Sequence, residues 1–152
     1  MAKYRALTLK ELHNFEKEFI DYLIVNGITA EEWERLKVEE AAKAEQIVSL
    51  FSDVIFEGVL RNIEFLEFRS PKQRLIFKCE ADKMILRGLR AHADSSIDLL
   101  MQADLEALKK YVEVIHSEKP YTVPREMELF QMLEKGCSIT DDELYNQLGD
   151  DR

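Results

Sequence analysis

Gln73-Arg74-Leu75-Ile76-Phe77-Lys78-Cys79-Glu80-Ala81-Asp82-Lys83-Met84-Ile85-Leu86-Arg87-Gly88-Leu89-Arg90 reads as a β-hairpin, and the fold class turns on it. Both runs are short and rich in Ile, Phe, Leu and Arg, and turn-like Ala81-Asp82-Lys83 separates them. Pairing Cys79 with Met84 sets Phe77 opposite Leu86 and Leu75 opposite Gly88, all on one face. That register leaves the four-residue loop Glu80–Lys83, a common hairpin length. The other face then carries Arg74, Ile76, Lys78, Ile85, Arg87 and Leu89, neither clean core nor clean surface. Residues 62–69 precede this hairpin across Ser70-Pro71-Lys72. Strands over 62–69, 73–80 and 84–90 therefore form a three-stranded antiparallel meander. The first strand alternates poorly (Ile63, Phe65, Leu66, Phe68), which fits a bulge near Phe65 or burial on both faces.

Upstream the period is helical. Three copies of one phrase each read as a capping box with a hydrophobic staple: Leu7-Thr8-Leu9-Lys10-Glu11-Leu12, Ile28-Thr29-Ala30-Glu31-Glu32-Trp33 and Ile139-Thr140-Asp141-Asp142-Glu143-Leu144. The first predicts a helix from Thr8 to about Val25, with Leu12, Phe15, Phe19, Tyr22 and Leu23 on one face and Asn26-Gly27 as its stop. From Thr29 the helical pattern runs to about Leu60, with a polar stretch at 37–40 that fits a bend. Apolar residues nearly encircle 47–60, the mark of a core helix. Its polar line, Ser49, Asp53, Glu57 and Arg61, is one wet edge with i,i+4 pairing, or else a cleft carrying the carboxylates Asp53 and Glu57.

Downstream, helical spacing runs through Leu99, Leu100, Leu105, Leu108, Val112 and Ile115, until Lys119-Pro120-Tyr121 ends it. A further helix begins near Pro124 and stops at Lys135-Gly136. The third capping box opens a short last helix with Leu144, Tyr145 and Leu148. Together with its predecessor it reads as an αα-hairpin. A helix-turn-helix reading is weaker, because Asp141, Asp142 and Glu143 would stand where base contacts are made. The expected architecture is a single α+β domain over residues 1–152: N-terminal helices, the meander, then C-terminal helices packed on the sheet.

Charge is segregated along the chain. Residues 1–60 carry 7 basic and 12 acidic side chains, residues 61–93 carry 8 and 4, and residues 94–152 carry 6 and 14, within a net charge of −9. An acidic total argues against general nucleic-acid binding, which rests on phosphate neutralisation. Cys79 and Cys137 have no Cys-x-x-Cys or Cys/His spacing and read as reduced thiols. With no signal-peptide pattern behind Met1 and no apolar run of membrane-spanning length, a cytoplasmic protein with no membrane association is expected.

No catalytic motif emerges. His13, His92 and His116 stand in no ligand spacing, and the five glycines form no phosphate-cradling loop, so no metal and no cofactor is expected. The stretches Lys3-Tyr4-Arg5-Ala6-Leu7-Thr8, Glu32-Trp33-Glu34-Arg35-Leu36-Lys37, Leu50-Phe51-Ser52-Asp53, Phe77-Lys78-Cys79-Glu80 and Ile139–Leu148 resemble a family of small bacterial proteins known only as a domain of unknown function. The resemblance spans nearly the whole chain and implies no activity, cofactor or site residue.

The reading is a non-enzymatic protein-interaction or regulatory module. The mixed face of Arg74, Ile76, Lys78, Ile85, Arg87 and Leu89 needs a cover, from the chain's own acidic helices, a second copy in a homo-oligomer, or an acidic protein partner. The alternative is a nucleic-acid binder using the basic strands 61–93, which have Phe65, Phe68 and Phe77 between their cations, although Phe77 is expected to face the core and so not to stack on bases.

Overall fold

The computed structural model describes residues 2–93, 95–101 and 108–149 and is α+β. It divides into two compact units, Met1–Arg61 and Asn62–Arg152.

The first unit is helical. Thr8 caps α1 (Leu9–Asn14) with both bonds of a capping box: the Glu11 N–H donates to the Thr8 hydroxyl and the Thr8 N–H donates to the Glu11 carboxylate. The helix expected to run on to Val25 breaks at Phe15 (φ −108°, ψ 25°), and α2 spans Glu16–Val25. Gly27 takes φ +74° just after it, the left-handed conformation expected of that stop. Thr29 then caps α3 (Ala30–Glu39) by accepting from the Glu32 N–H. The bend expected at 37–40 falls at Glu40 (φ −136°, ψ 61°), beyond which α4 covers Ala41–Arg61. Leu7, Phe19, Leu23 and Phe51 form the buried core, and Trp33, Tyr22, Ile47 and Val48 pack around it. Leu50 and Val54 stay exposed, so α4 is less completely buried than its encircling apolar residues suggest.

Arg5 forks the Glu11 carboxylate at 2.7 and 2.9 Å. The Arg5 hydrogen bonds, helped by the Thr8 N–H, pull the Glu11 carboxyl down to about 2. A carboxyl depressed in the folded state stabilises above its unfolded value and loses that contribution as pH falls through the folded one. Residues 1–61 will therefore lose stability progressively between about pH 4.5 and 2. In urea titrations followed by Trp33 fluorescence, Arg5→Gln will flatten that dependence. An unchanged slope in the variant removes the linkage.

The second unit is built on a five-stranded antiparallel sheet: β1 (Phe65–Arg69), β2 (Gln73–Cys79), β3 (Lys83–Ala91), β4 (Val112–Pro120) and β5 (Ser138–Thr140), in the order β4-β3-β2-β1-β5. Helix α5 (Arg125–Glu134) precedes β5 and α6 (Glu143–Gly149) follows it. The β2–β3 register has Cys79 opposite Met84, Phe77 opposite Leu86 and Leu75 opposite Gly88, as the face pattern required. Gly88 is needed here, because a Cβ would lie 2.7 Å from Leu75 Cδ2 and 2.8 Å from the Arg74 carbonyl oxygen.

Three expectations are corrected. The meander is part of a larger sheet, because Val112–Pro120 is a strand and not the end of a helix. Leu108, Val112 and Ile115 do fall at helical spacing, but β-branched Val112, Val114 and Ile115 pair against Ala91, Leu89 and Gly88. Leu105, part of the same helical expectation, lies outside the described residues. The αα-hairpin around Gly136 is helix–strand–helix, with Thr140 paired to Phe65 and no longer a helix cap. Asp141 starts α6 instead, accepting from the Glu143 N–H at 3.0 Å. For the poor alternation of the first strand, burial on both faces is the answer: Phe65 and Leu66 are both buried and their pairing with β2 is continuous.

Arg125 ties the start of α5 to the sheet. Its guanidinium donates to the carbonyls of Ile63 (2.6 Å), Cys79 (3.1 Å) and Glu80 (3.1 Å), and the Tyr121 hydroxyl also donates to Glu80 (2.7 Å). Glu128, itself buried, accepts from Lys119 and twice from Thr122. Burial pushes its carboxyl up, but those donors prevail and hold it below the usual range.

Candidate functional site

The six residues of the mixed face do share one face, since Lys78 pairs with Ile85, Ile76 with Arg87 and Arg74 with Leu89. The chain supplies a cover over that face. Tyr145 of α6 packs with Phe65 and Ile76, and Leu148 packs with Leu89, Leu99, Leu108 and Val112. Ile76 and Leu89 are consequently 1% exposed, whereas Phe77, expected to face the core from the opposite side, is only half-buried. The polarity of the covered face reflects how α6 is held. Arg87 lies over the Tyr145 ring (3.9 Å to its centroid) and donates to the Tyr145 carbonyl at 3.0 Å, near the helix C-terminus where a cation is favoured. Gly149 lets the guanidinium through: a Cβ there would meet Arg87 Nη1 at 2.0 Å.

Arg74 is held differently. Its Nε donates to Glu67 at 2.5 Å, and Glu67 is 6% exposed. Beside this pair, Arg74 and Ile76 form one wall of a pocket of about 300 Å³, and Thr140, Asp141, Glu143, Leu144 and Gln147 form the others. The neighbouring cations are also engaged within the fold. Lys83 pairs with Glu118 and Arg90 with Glu113, both carboxylates coming from β4, and Lys72 donates to the Ser95 carbonyl. The strand missed in the sequence thus brings acidic residues against the basic strands.

Asp53 and Glu57 do not form a free carboxylate pair. Asp53 accepts from the backbone N–H of Lys3 (2.8 and 2.9 Å) and of Tyr4 (3.3 Å). Glu57 accepts from Lys3 Nζ at 2.8 Å and from the Tyr4 hydroxyl. The hydrogen bonds from Lys3 and Tyr4 lower the Glu57 carboxyl, while burial first, and Glu57 next, push the Tyr4 phenol up to about 12. The Leu7 N–H completes the strap by donating to Ser52 Oγ (2.9 Å), a fully buried hydroxyl that donates on to the Val48 carbonyl (2.7 Å). Sequence spacing found the carboxylates but not their partners, which lie about fifty residues away.

That strap also walls a groove of about 530 Å³ within the first unit. Leu7, Leu9 and Leu12 stand on one side, Trp33 and Lys37 of α3 on another, and Ala41, Ala44, Glu45, Val48 and Ser49 of α4 on the third. Leu9 stands at its rim with 87% of its surface exposed. The apolar spacing that lines this groove is the same that builds a helical core, so no motif marked it.

A family model, that of the family of unknown function DUF6495, matches residues 1–150. The chain belongs to that family. No curated protein matches it, and no solved structure does. The DUF6495 match extends across both compact units, as the sequence resemblance implied. Two stretches that carried the resemblance meet in the fold: Lys3, Tyr4 and Leu7 are the residues whose N–H groups Asp53 and Ser52 accept. A third, Glu32–Lys37, contributes Trp33 and Lys37 to the groove.

Among the described residues of this DUF6495 chain no group of three or more His, Cys, Asp or Glu side chains could hold a metal ion. None of their helices is long and apolar enough to cross a membrane. Both cysteines are free; burial raises the Cys79 thiol to about 11, which suppresses its thiolate at neutral pH.

Proposed function

We propose that the protein is a non-enzymatic protein-interaction module, with the groove of residues 1–61 as its contact surface. The observation that carries this reading is a groove of about 530 Å³ lined mainly by leucine, valine, alanine and tryptophan side chains, with a nearly fully exposed leucine at its rim. Ala41, Ala44 and Val48 recur along α4 at the spacing that receives the side chains of a second helix. The occupant that suits it is an amphipathic helix of a partner protein, docked by its apolar stripe. Residues 1–60 carry an excess of acidic side chains, so the partner's flanks are basic.

Self-association through Arg74, Ile76, Lys78, Ile85, Arg87 and Leu89 has less support, because α6 and its neighbours already pack there. Ion pairs within the fold likewise weaken the nucleic-acid reading of strands 61–93, since cations paired to Glu67, Glu113 and Glu118 are not free for phosphate.

The test is fluorescence anisotropy with a labelled amphipathic peptide bearing leucines at helical spacing and lysines between them. Saturable binding is expected, weakened by about tenfold or more in Leu9→Glu, which places a charge at the rim, and in Ala41→Trp, which fills the groove. Circular dichroism checks that both variants keep the wild-type helix content. Absence of saturable binding, or equal binding by folded variants, overturns the proposal. So does sedimentation showing a wild-type dimer that the same variants dissociate, since the occupant would then be a second copy.

A further inference from the structure

The two edges of the sheet are unlike. β5 ends one side with three residues, whereas β4 ends the other with nine, Val112–Pro120. Shortness is one way native sheets blunt an edge, and a bulge is another. β4 has neither: its register with β3 is unbroken, and His116, Ser117, Glu118, Lys119 and Pro120 are all exposed. Pro120 withholds a donor at the last position only.

Backbone alternation gives the direction of each main-chain group. The His92 N–H donates to the Tyr111 carbonyl, one step beyond the Ala91–Val112 pair. Antiparallel pairs alternate between hydrogen-bonded and not, so Tyr111 and every second residue after it turn their groups to β3. Val112, Val114, His116 and Glu118 therefore turn N–H and C=O outward. Among the described residues no strand takes these groups up.

We infer that β4 pairs edge to edge with β4 of a second copy of this chain, joining two sheets across a two-fold axis at His116. This inference concerns the sheet unit and stands apart from the groove. Antiparallel pairing about His116 overlaps the two strands along their whole length and sets Glu113 opposite Lys119 of the second copy, twice over. Within each chain Glu113 already meets Arg90 at 3.3 Å and Lys119 meets Glu128 at 2.8 Å. The joined sheet thus carries a row that alternates in sign: Arg90 and Glu113 of one copy, then Lys119 and Glu128 of the other. Opposite charges directly across two strands stabilise the pair, and like charges oppose it. A register shifted by two residues either way loses the match, since Lys119 would then face Ile115 or Tyr111. Main-chain bonds supply the attraction, and the charge order selects this chain's own strand.

Sedimentation velocity of the whole protein will show a monomer–dimer equilibrium at about 0.2 mM, as suits a small polar interface. His116→Pro removes the central outward donor. Residue 116 gives no bond to β3, so the sheet stays paired while dimerisation weakens by about tenfold or more. Circular dichroism checks that the variant is folded. Cross-linking tests the register independently, in a Cys137→Ser background that leaves the buried Cys79 as the remaining native thiol. There His116→Cys places two thiols on the two-fold, where a hydrogen-bonded pair holds its Cα atoms about 5.5 Å apart, within disulfide reach. Oxidised glutathione will join those chains, whereas Glu118→Cys, which faces Val114 of the second copy, will stay unlinked. Leu9→Glu, which disables the groove, will leave the dimer unchanged, so the two surfaces fail separately. A monomer at that concentration overturns the inference. So does a dimer that folded His116→Pro leaves intact, or equal cross-linking of the two cysteine variants.

Discussion

Replacing Arg74 with Met will lower the stability of the sheet unit by about 3 kcal/mol, the scale seen when one partner of a buried ion pair is removed. Glu67 is 6% exposed, and Arg74 reaches it at 2.5 Å from the next strand across the Phe68–Leu75 and Arg69–Arg74 pairs. Methionine fills much of the arginine stem's volume, so the loss comes from the carboxylate left without its cation. Glu67→Gln with Arg74→Met removes both charges and will recover most of the loss, because the desolvation cost leaves with the charge. Hydrogen exchange at the amides of β1 and β2, read with urea denaturation, measures all three proteins. If the single variant unfolds within about 0.5 kcal/mol of wild type, the pair contributes no more than a surface contact would.

Phe51→Ala will cost the helical unit about 4 kcal/mol, the upper range for a buried aromatic truncated to a methyl group. Phe51 is 2% exposed, with the Phe19 ring at 5.0 Å and the Tyr22 ring at 5.3 Å. The two neighbouring rings cannot collapse into the space left by the third, so a cavity will remain and the loss will exceed simple transfer. Trp33 meets Phe19 edge-on at 5.1 Å and is the only tryptophan, so its fluorescence follows the unfolding of this unit directly. Phe51→Leu, which keeps most of the volume, will cost about half as much or less. Equal losses for Ala and Leu would mean that the site relaxes freely and the aromatic cluster is not close-packed.

The sequence was most legible where a signal is local. Thr8 and Glu11 make their capping box within four residues, and Gly27 needs only its own positive φ. The β2–β3 hairpin was legible because its loop is short and each face has its own chemistry. Legibility failed where one pattern fits two periods. Leu108, Val112 and Ile115 satisfy helical spacing, yet Val112–Pro120 closes the sheet, because its partner is β3 and not a neighbouring turn. Ile139-Thr140 has the form of a staple and cap, but β1 has an open edge beside it and pairing there satisfies more backbone groups. Both errors concern strands whose partners lie far off in sequence.

The candidate sites divide in the same way. Arg74 and Ile76 were placed together on one face by period-two alternation alone, and they do wall one pocket. That α6 covers the rest of that face, and that Glu67 holds Arg74, depends on contacts between separate elements. The carboxylates Asp53 and Glu57 were visible as an i,i+4 line on a helix, but Lys3 and Tyr4 determine what they do.

What the sequence by itself determined is therefore a set of local structures: the first two helix caps, the stop at Gly27, the central hairpin and its register, and which side chains of that hairpin share each face. Covalent geometry and short-range hydrogen bonding fix these within a few residues. Tertiary structure alone decided which face each element buries, that the basic strands meet acidic partners from β4, and that apolar side chains on α1, α3 and α4 leave a groove between them. Burial and charge pairing act through space between residues whose order along the chain does not encode their distance.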